Sequence, residues 1–175
     1  GVTAFAITGG EPFLEFENMC KMLKYSENKL DVSKMISNGF WGKNVEYYFK
    51  KLEESGLLKN QFFVPSLQIS IGEQTIPLEN ICNIIYYVNT HYTIEQLNFG
   101  IIHTRLNNEG ESQLSKLYNS YIKKYGEFPN GRIYLTDSYY VNANSEAKEE
   151  IETYKMSVYD AINECDNRFG IEVGK

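Results

Sequence analysis

The chain has 175 residues, 42% of them apolar and 14% aromatic, which is enough for one hydrophobic core and too much for a disordered segment. Its formal charge is −6 and its isoelectric point near 5.0, so there is no general positive field to draw nucleic acid or an anionic membrane. No apolar run approaches the ~18 residues of a membrane span and no signal peptide is visible, and the odd count of three scattered cysteines suits a reducing, cytoplasmic setting.

Extended apolar runs recur near 3–7, 30–36, 66–71, 97–102 and 132–136, roughly one βαβ length apart. Helical patterns fill the intervals. Phe16, Met19, Cys20 and Leu23 share one face, as do Val45, Phe49 and Leu52, with Asn44 as the expected cap of that second helix. Leu78, Ile81, Ile85 and Val88 repeat the stripe, and Leu114, Leu117, Tyr118, Tyr121 and Ile122 give it most cleanly. Gly56 and Gly126 fall where a left-handed residue ends a helix. A last helix is expected to carry Ile151, Tyr154, Val158, Ile162 and Cys165, after a loop-like stretch at 139–150. Five strands alternating with helices predict a single α/β domain over 1–175, with a mostly parallel sheet of repeated βα units. An open doubly wound sheet and part of a barrel both fit.

In such architectures ligands gather at the carboxyl ends of strands. Those ends read Thr8-Gly9-Gly10-Glu11-Pro12, Ser37-Asn38-Gly39-Phe40-Trp41-Gly42, Ser70-Ile71-Gly72-Glu73-Gln74, His103-Thr104-Arg105 and Asp137-Ser138-Tyr139. At the first, two glycines free the backbone and remove side chains, Pro12 stiffens the turn, and Glu11 becomes a placed acceptor. A carboxylate beside bare carbonyls suits an amine rather than a phosphate, and the G-x-G-x-x-G spacing of a dinucleotide loop is absent. The same residues also read as a tight strand-to-helix turn, with Glu11 favoured by the helix dipole. Trp41 reads as a packing aromatic or a substrate flank, and His103 as a structural residue or an acid–base group. His91 sits at a helix end that favours a cation.

"ITGGEPFL" resembles the G-G-E-P segment of the radical S-adenosylmethionine enzymes. "KMISNGF" is similar to that family's third strand, which ends in Thr/Ser-Asn-Gly, and "LQISIGE" to its fourth. The resemblance implies a partial (β/α)6 TIM-like barrel missing its first strand, with an unpaired edge at the strand carrying Ala4 to Ile7. It also implies S-adenosylmethionine as cofactor, with the amine met at Gly9, Gly10 and Glu11, Pro12 shaping the turn, and further contacts from Ser37, Asn38 and Ser70. Gly72 departs from the pattern, standing where the family often has Asp, and "LNFGIIHTR" matches the fifth strand only loosely.

The family holds a [4Fe–4S] cluster on C-x3-C-x2-C, whereas Cys20, Cys82 and Cys165 are far apart and two lie on apolar stripes. The expectation is therefore a radical S-adenosylmethionine core truncated by cloning or in the gene. Its cluster ligands would lie outside this chain, and it would be inactive alone. The expected partners are a reducing electron donor and an unidentified substrate (a small molecule, peptide or protein), with no nucleic acid and no membrane. Two other readings stay open: a non-catalytic α/β binding or interaction module in which GGEP is only a turn, and an α/β transferase using another site.

Overall fold

A computed structural model describes residues 1–58, 62–71, 76–104, 113–129, 133–138 and 155–157. Among these residues six strands form one sheet in the order β1-β2-β3-β4-β5-β6. They are β1 (Ala4–Ile7), β2 (Asp31–Ser37), β3 (Ser66–Ile71), β4 (Asn98–Thr104), β5 (Ile133–Ser138) and β6 (Lys155–Ser157). The first five are parallel, and β6 lies antiparallel on β5. Between them stand α1 (Phe16–Ser26), α2 (Val45–Glu54), α3 (Leu78–His91) and α4 (Gln113–Tyr125). Short 3-10 turns at Pro12–Glu15 and Phe40–Asn44 lead into α1 and α2.

The strand order bears on the two architectures that the sequence leaves open, without showing a barrel. A doubly wound sheet reverses its order at a switch point, and none occurs here: each parallel strand is added beside the one before it. Right-handed crossovers stepping in one direction keep every helix on the same face. Burial follows this rule. In β3, Leu67, Ile69 and Ile71 are buried while Ser66, Gln68 and Ser70 are only half-buried. Leu67 and Ile69 pair with Phe99 and Ile101 of β4, also buried, and Met35 of β2 pairs with Leu67. These residues join Phe49 and Leu52 of α2, Ile81, Ile84, Ile85 and Val88 of α3, and Leu117 and Tyr121 of α4 in one hydrophobic cluster.

An irregularity in β1–β2 pairing preserves this one-sidedness. Phe5 pairs with Val32, but Ala6 pairs with Lys34, so Ser33 is an extra residue. The bulge puts both Val32 and Met35 on the core face, although they are three apart in a period-two element. The Ser33 hydroxyl donates to the Phe5 carbonyl at 3.0 Å. Strand β1 stands at one end of the order, with β2 its sole neighbour among the described residues.

Gly56 and Gly126 take the left-handed conformation expected after helices (φ +89° at each). Asn44 occupies the position before α2 but makes no capping hydrogen bond. The chain is already coiled from Phe40, so the cap moves upstream: Asn38 Oδ1 accepts from the Phe40 amide at 3.0 Å. The expected last helix over 151–165 is corrected where it is described, because Lys155–Ser157 is a strand on β5. Tyr154, Met156 and Val158 alternate at period two through the same stretch, and the sheet edge favours that period over the helical one. The rest of that segment, with Cys165 and the loop at 139–150, lies outside the described residues.

Candidate functional site

At the end of β1 the chain must turn within four residues into the 3-10 segment that leads to α1. Gly9 and Gly10 make the turn with φ of +86° and +55°, a conformation that costs other residues. Nothing lies within 4 Å of where a Cβ would stand on either, and both residues are exposed. Pro12 then opens a 3-10 turn with no amide to leave unpaired.

Glu11 is half-buried and its carboxylate is held from three directions. Oε1 accepts from the Phe13 amide at 3.1 Å and from the Ser37 hydroxyl at 2.8 Å, and Oε2 accepts from the Asn38 amide at 2.6 Å. The first bond caps the turn of its own loop. The other two tie that loop to the end of β2. Oε2 accepts a single protein hydrogen bond, so it keeps a lone pair.

Ser37 is 2% exposed and stands on the core face of β2, paired with Ile69. Its hydroxyl donates to Glu11 and accepts from the Gly39 amide at 3.1 Å and from Trp41 Nε1 at 2.9 Å. One donor and two acceptors are thereby used in full. Trp41 is the packing residue beneath this network: its ring stacks on Phe13 at 4.5 Å and 10°, and Phe13 stacks on Phe16. The second loop is then fastened to α3. Asn80 donates to the Phe40 carbonyl at 2.8 Å and Asn83 to the Gly42 carbonyl at 3.2 Å. Gly42 lies so close to α3 that a Cβ there would stand 2.0 Å from the Asn80 carbonyl oxygen.

Of the residues singled out in the sequence, Glu11, Ser37 and Asn38 therefore meet in one network, beside the open Gly9–Gly10 turn. Ser70 stands on the other face of the sheet, half-buried, on β3 opposite Ile102 of β4. Gly72, Glu73, Gln74, Arg105 and Tyr139 lie outside the described residues, as do the side chains of His103, Thr104, Asp137 and Ser138. His91 is exposed at the end of α3 and stacks on Tyr87 at 3.8 Å. An open cleft of about 400 Å³ at the start of α1 is lined by Phe13, Phe16, Tyr47 and Tyr48 with Leu14, Glu15 and Glu17, none of them from the strand-end set.

The residues that sequence reading missed are Asn80 and Asn83, whose one-turn spacing on α3 gives a pair of amides on one face, and the anchor Phe13. The alternation Leu67-Gln68-Ile69-Ser70-Ile71 also carried a signal. A parallel strand covered on both faces reads as a continuous apolar run, whereas this one reads as a strand with an uncovered side.

The two described thiols do not fit an iron–sulfur cluster. Cys82 is buried in the core, its Sγ directed at the Leu117 carbonyl, and burial pushes its pKa up to about 11. Cys20 is half-buried, and desolvation with the nearby Glu17 carboxylate raises it to about 11 as well. Cluster ligands must be clustered thiolates. No group of three His, Cys, Asp or Glu side chains able to hold a metal occurs among the described residues. Among those residues, too, no helix is long and apolar enough to cross a membrane.

The class that fold and site define is an α/β protein with a parallel sheet of alternating βα units, helices on one face, and two glycine-bearing strand-end loops joined through a carboxylate. No protein-family model matches the chain, and no curated protein matches it.

Proposed function

We propose that this chain is the S-adenosylmethionine-binding portion of a radical S-adenosylmethionine enzyme. In that reading the one-directional sheet is part of a (β/α)6 barrel, and the free edge of β1 is where a further strand pairs. The observation that carries the proposal is the loop after β1, where two left-handed glycines present bare peptide groups beside a carboxylate fixed by three hydrogen bonds. The Gly9 and Gly10 carbonyls and the remaining lone pair of Glu11 Oε2 are acceptors suited to an ammonium group. Ser37 and Asn38 act as positioning residues for Glu11, and Ser70 is available from the open face of β3. The cofactor supplies a sulfonium for reductive cleavage. The described residues do not hold the cluster that donates the electron, so no such step is assigned to them, and the chain alone is expected not to cleave S-adenosylmethionine. The substrate, the electron donor and a cytoplasmic setting remain part of the proposal.

A second reading is favoured by one specific fact: all three hydrogen bonds of Glu11 are internal, as in a non-catalytic module where GGEP is a turn. Calorimetric titration separates the two. S-adenosylmethionine and its decarboxylated analogue keep the amine, and 5′-methylthioadenosine lacks it. The first reading expects both amines to bind about tenfold more tightly than methylthioadenosine, the scale of one charged hydrogen bond. It also expects Gly10→Val, which puts a side chain into the open space, to erase the difference. Equal affinities for all three in the unaltered chain overturn it.

A further inference from the structure

Parallel sheets are ordinarily covered on both faces. Here the described core lies on one face only. The other presents Ala6 on β1, Lys34 and Ile36 on β2, Ser66, Gln68 and Ser70 on β3, and Asn98 and Gly100 on β4. Most of these residues are small or polar, the branched ones being Ile36 and, opposite Ser70 on β4, Ile102. They resemble neither the bulky branched layers that fill a closed barrel nor a surface for a second layer of helices. A polar filling suits them better.

Register arranges the polar groups in a block. Lys34, Ser66 and Asn98 are Cα partners in one row across three strands, and Gln68, two residues beyond Ser66, pairs with Gly100, which has no side chain. Neighbouring strands are about 4.8 Å apart, and two residues along a strand span about 6.6 Å. Lys34 and Gln68 are thus diagonal neighbours about 8 Å apart, a span that one small molecule can bridge. Lys34 is half-buried and has no ion-pair partner among the described residues, in a chain with 23 acidic residues against 17 Lys and Arg. A lysine without a counter-charge keeps its ammonium free to pair with an anion. The described residues supply none at this position, although acids are plentiful in the sequence.

We infer that this face binds a small polar molecule through an anionic group, carboxylate or phosphate, which pairs with Lys34 while amide and hydroxyl groups of Gln68, Asn98 and Ser66 receive its polar body. The inference goes beyond the cofactor reading and does not depend on it, since it concerns a different group on a different part of the sheet.

The test uses the whole chain and two probes with neither adenosine nor an amine, succinate and inorganic phosphate, with neutral succinamide as control. The Lys34 Cε resonance is assigned by its loss in Lys34→Gln. Succinate or phosphate is expected to move that resonance and the amides of Ser66, Gln68 and Asn98 saturably, severalfold less tightly at 300 mM salt than at 50 mM by screening. Succinamide should move none of them. Response to one probe alone identifies carboxylate or phosphate as the source. Lys34→Arg is expected to keep the binding and Gln68→Ala to weaken it severalfold, which preserves the test if Lys34→Gln fails to fold. No saturable change with either probe, equal changes at Lys34 and the exposed Lys50, or unchanged affinity in Gln68→Ala together with Lys34→Gln overturns the inference. Loss of S-adenosylmethionine binding with these anion shifts intact counts against the cofactor reading alone.

Discussion

Ile69 and Gln68 are consecutive residues of β3, made of the same backbone in the same sheet, yet they belong to different regions of the molecule. Ile69 is fully buried against α3, where its Cγ2 and the Ile84 Cδ1 both lie beside Gly39. Gln68 faces the side away from the core of the described residues, half-buried and opposite a glycine. The difference separates two jobs. The helix-covered face holds the fold together, and by doing so it releases the opposite face and the strand-end rim from any duty to be apolar. Polar and charged groups such as Lys34 and Glu11 can then stand where a stability-driven sequence would place Leu or Val.

The contrast breaks most visibly at Ile69. Ile69→Ala leaves a cavity in the centre of the cluster and is expected to cost about 4 kcal/mol by urea denaturation. A loss below about 1 kcal/mol would mean that the core lies elsewhere. Gly42→Ala comes next, at about 3 kcal/mol. Its Cβ would meet a backbone carbonyl that cannot rotate away, so the second loop or the start of α3 must move. If this variant keeps the parent's midpoint, the loop is not seated on α3.

Both predictions rest on features of unequal legibility. The helical stripes were plain in the sequence because Phe49 and Leu52, or Ile81, Ile85 and Val88, recur at the helical period whatever they pack against. The parallel βα order was equally plain from the spacing of the runs. Strand direction of travel was not, since a local period carries no record of which neighbour a strand chooses. The last segment was misread because Tyr154 to Val158 satisfies both periods, and the choice depends on the edge of β5. At the site, Gly9, Gly10 and Glu11 were conspicuous by their chemistry. Their link to Ser37 and Asn38 spans 26 and 27 positions, and no local pattern shows a contact of that range. The seat of Gly42 on Asn80 is equally long-range.

That link gives the third test. In Glu11→Gln one oxygen survives and the other becomes an amide nitrogen. If the oxygen stays at the Oε1 position, the new nitrogen faces the Asn38 amide, donor against donor. If the group flips, it faces the Phe13 amide instead. Ser37 cannot compensate, because its two acceptor sites already serve Gly39 and Trp41. The expected loss is about 2 kcal/mol, the cost of one partly buried unpaired donor. An unchanged midpoint would show that the two loops are not joined through this carboxylate.

The smallest effect sharpens the comparison most. Gln68→Ala removes a side chain that makes no hydrogen bond among the described residues and alternates with the buried Leu67 and Ile69 of the apolar cluster. Its neighbours in the pleat are Gly100 across one strand boundary and Ile36 across the other, so truncation opens no cavity that was closed before. The strand loses some packing and gains a residue of lower β-propensity, and the two together are expected to stay within about 0.5 kcal/mol. Beside the expected cost of Ile69→Ala, that is nearly an order of magnitude between adjacent residues. A cost of 2 kcal/mol or more at Gln68 would require a second buried layer on this face, and the division of labour between the two sides of the sheet would fall with it. A near-zero cost, combined with a severalfold loss of anion affinity, would mark Gln68 as a residue whose presence stability does not explain.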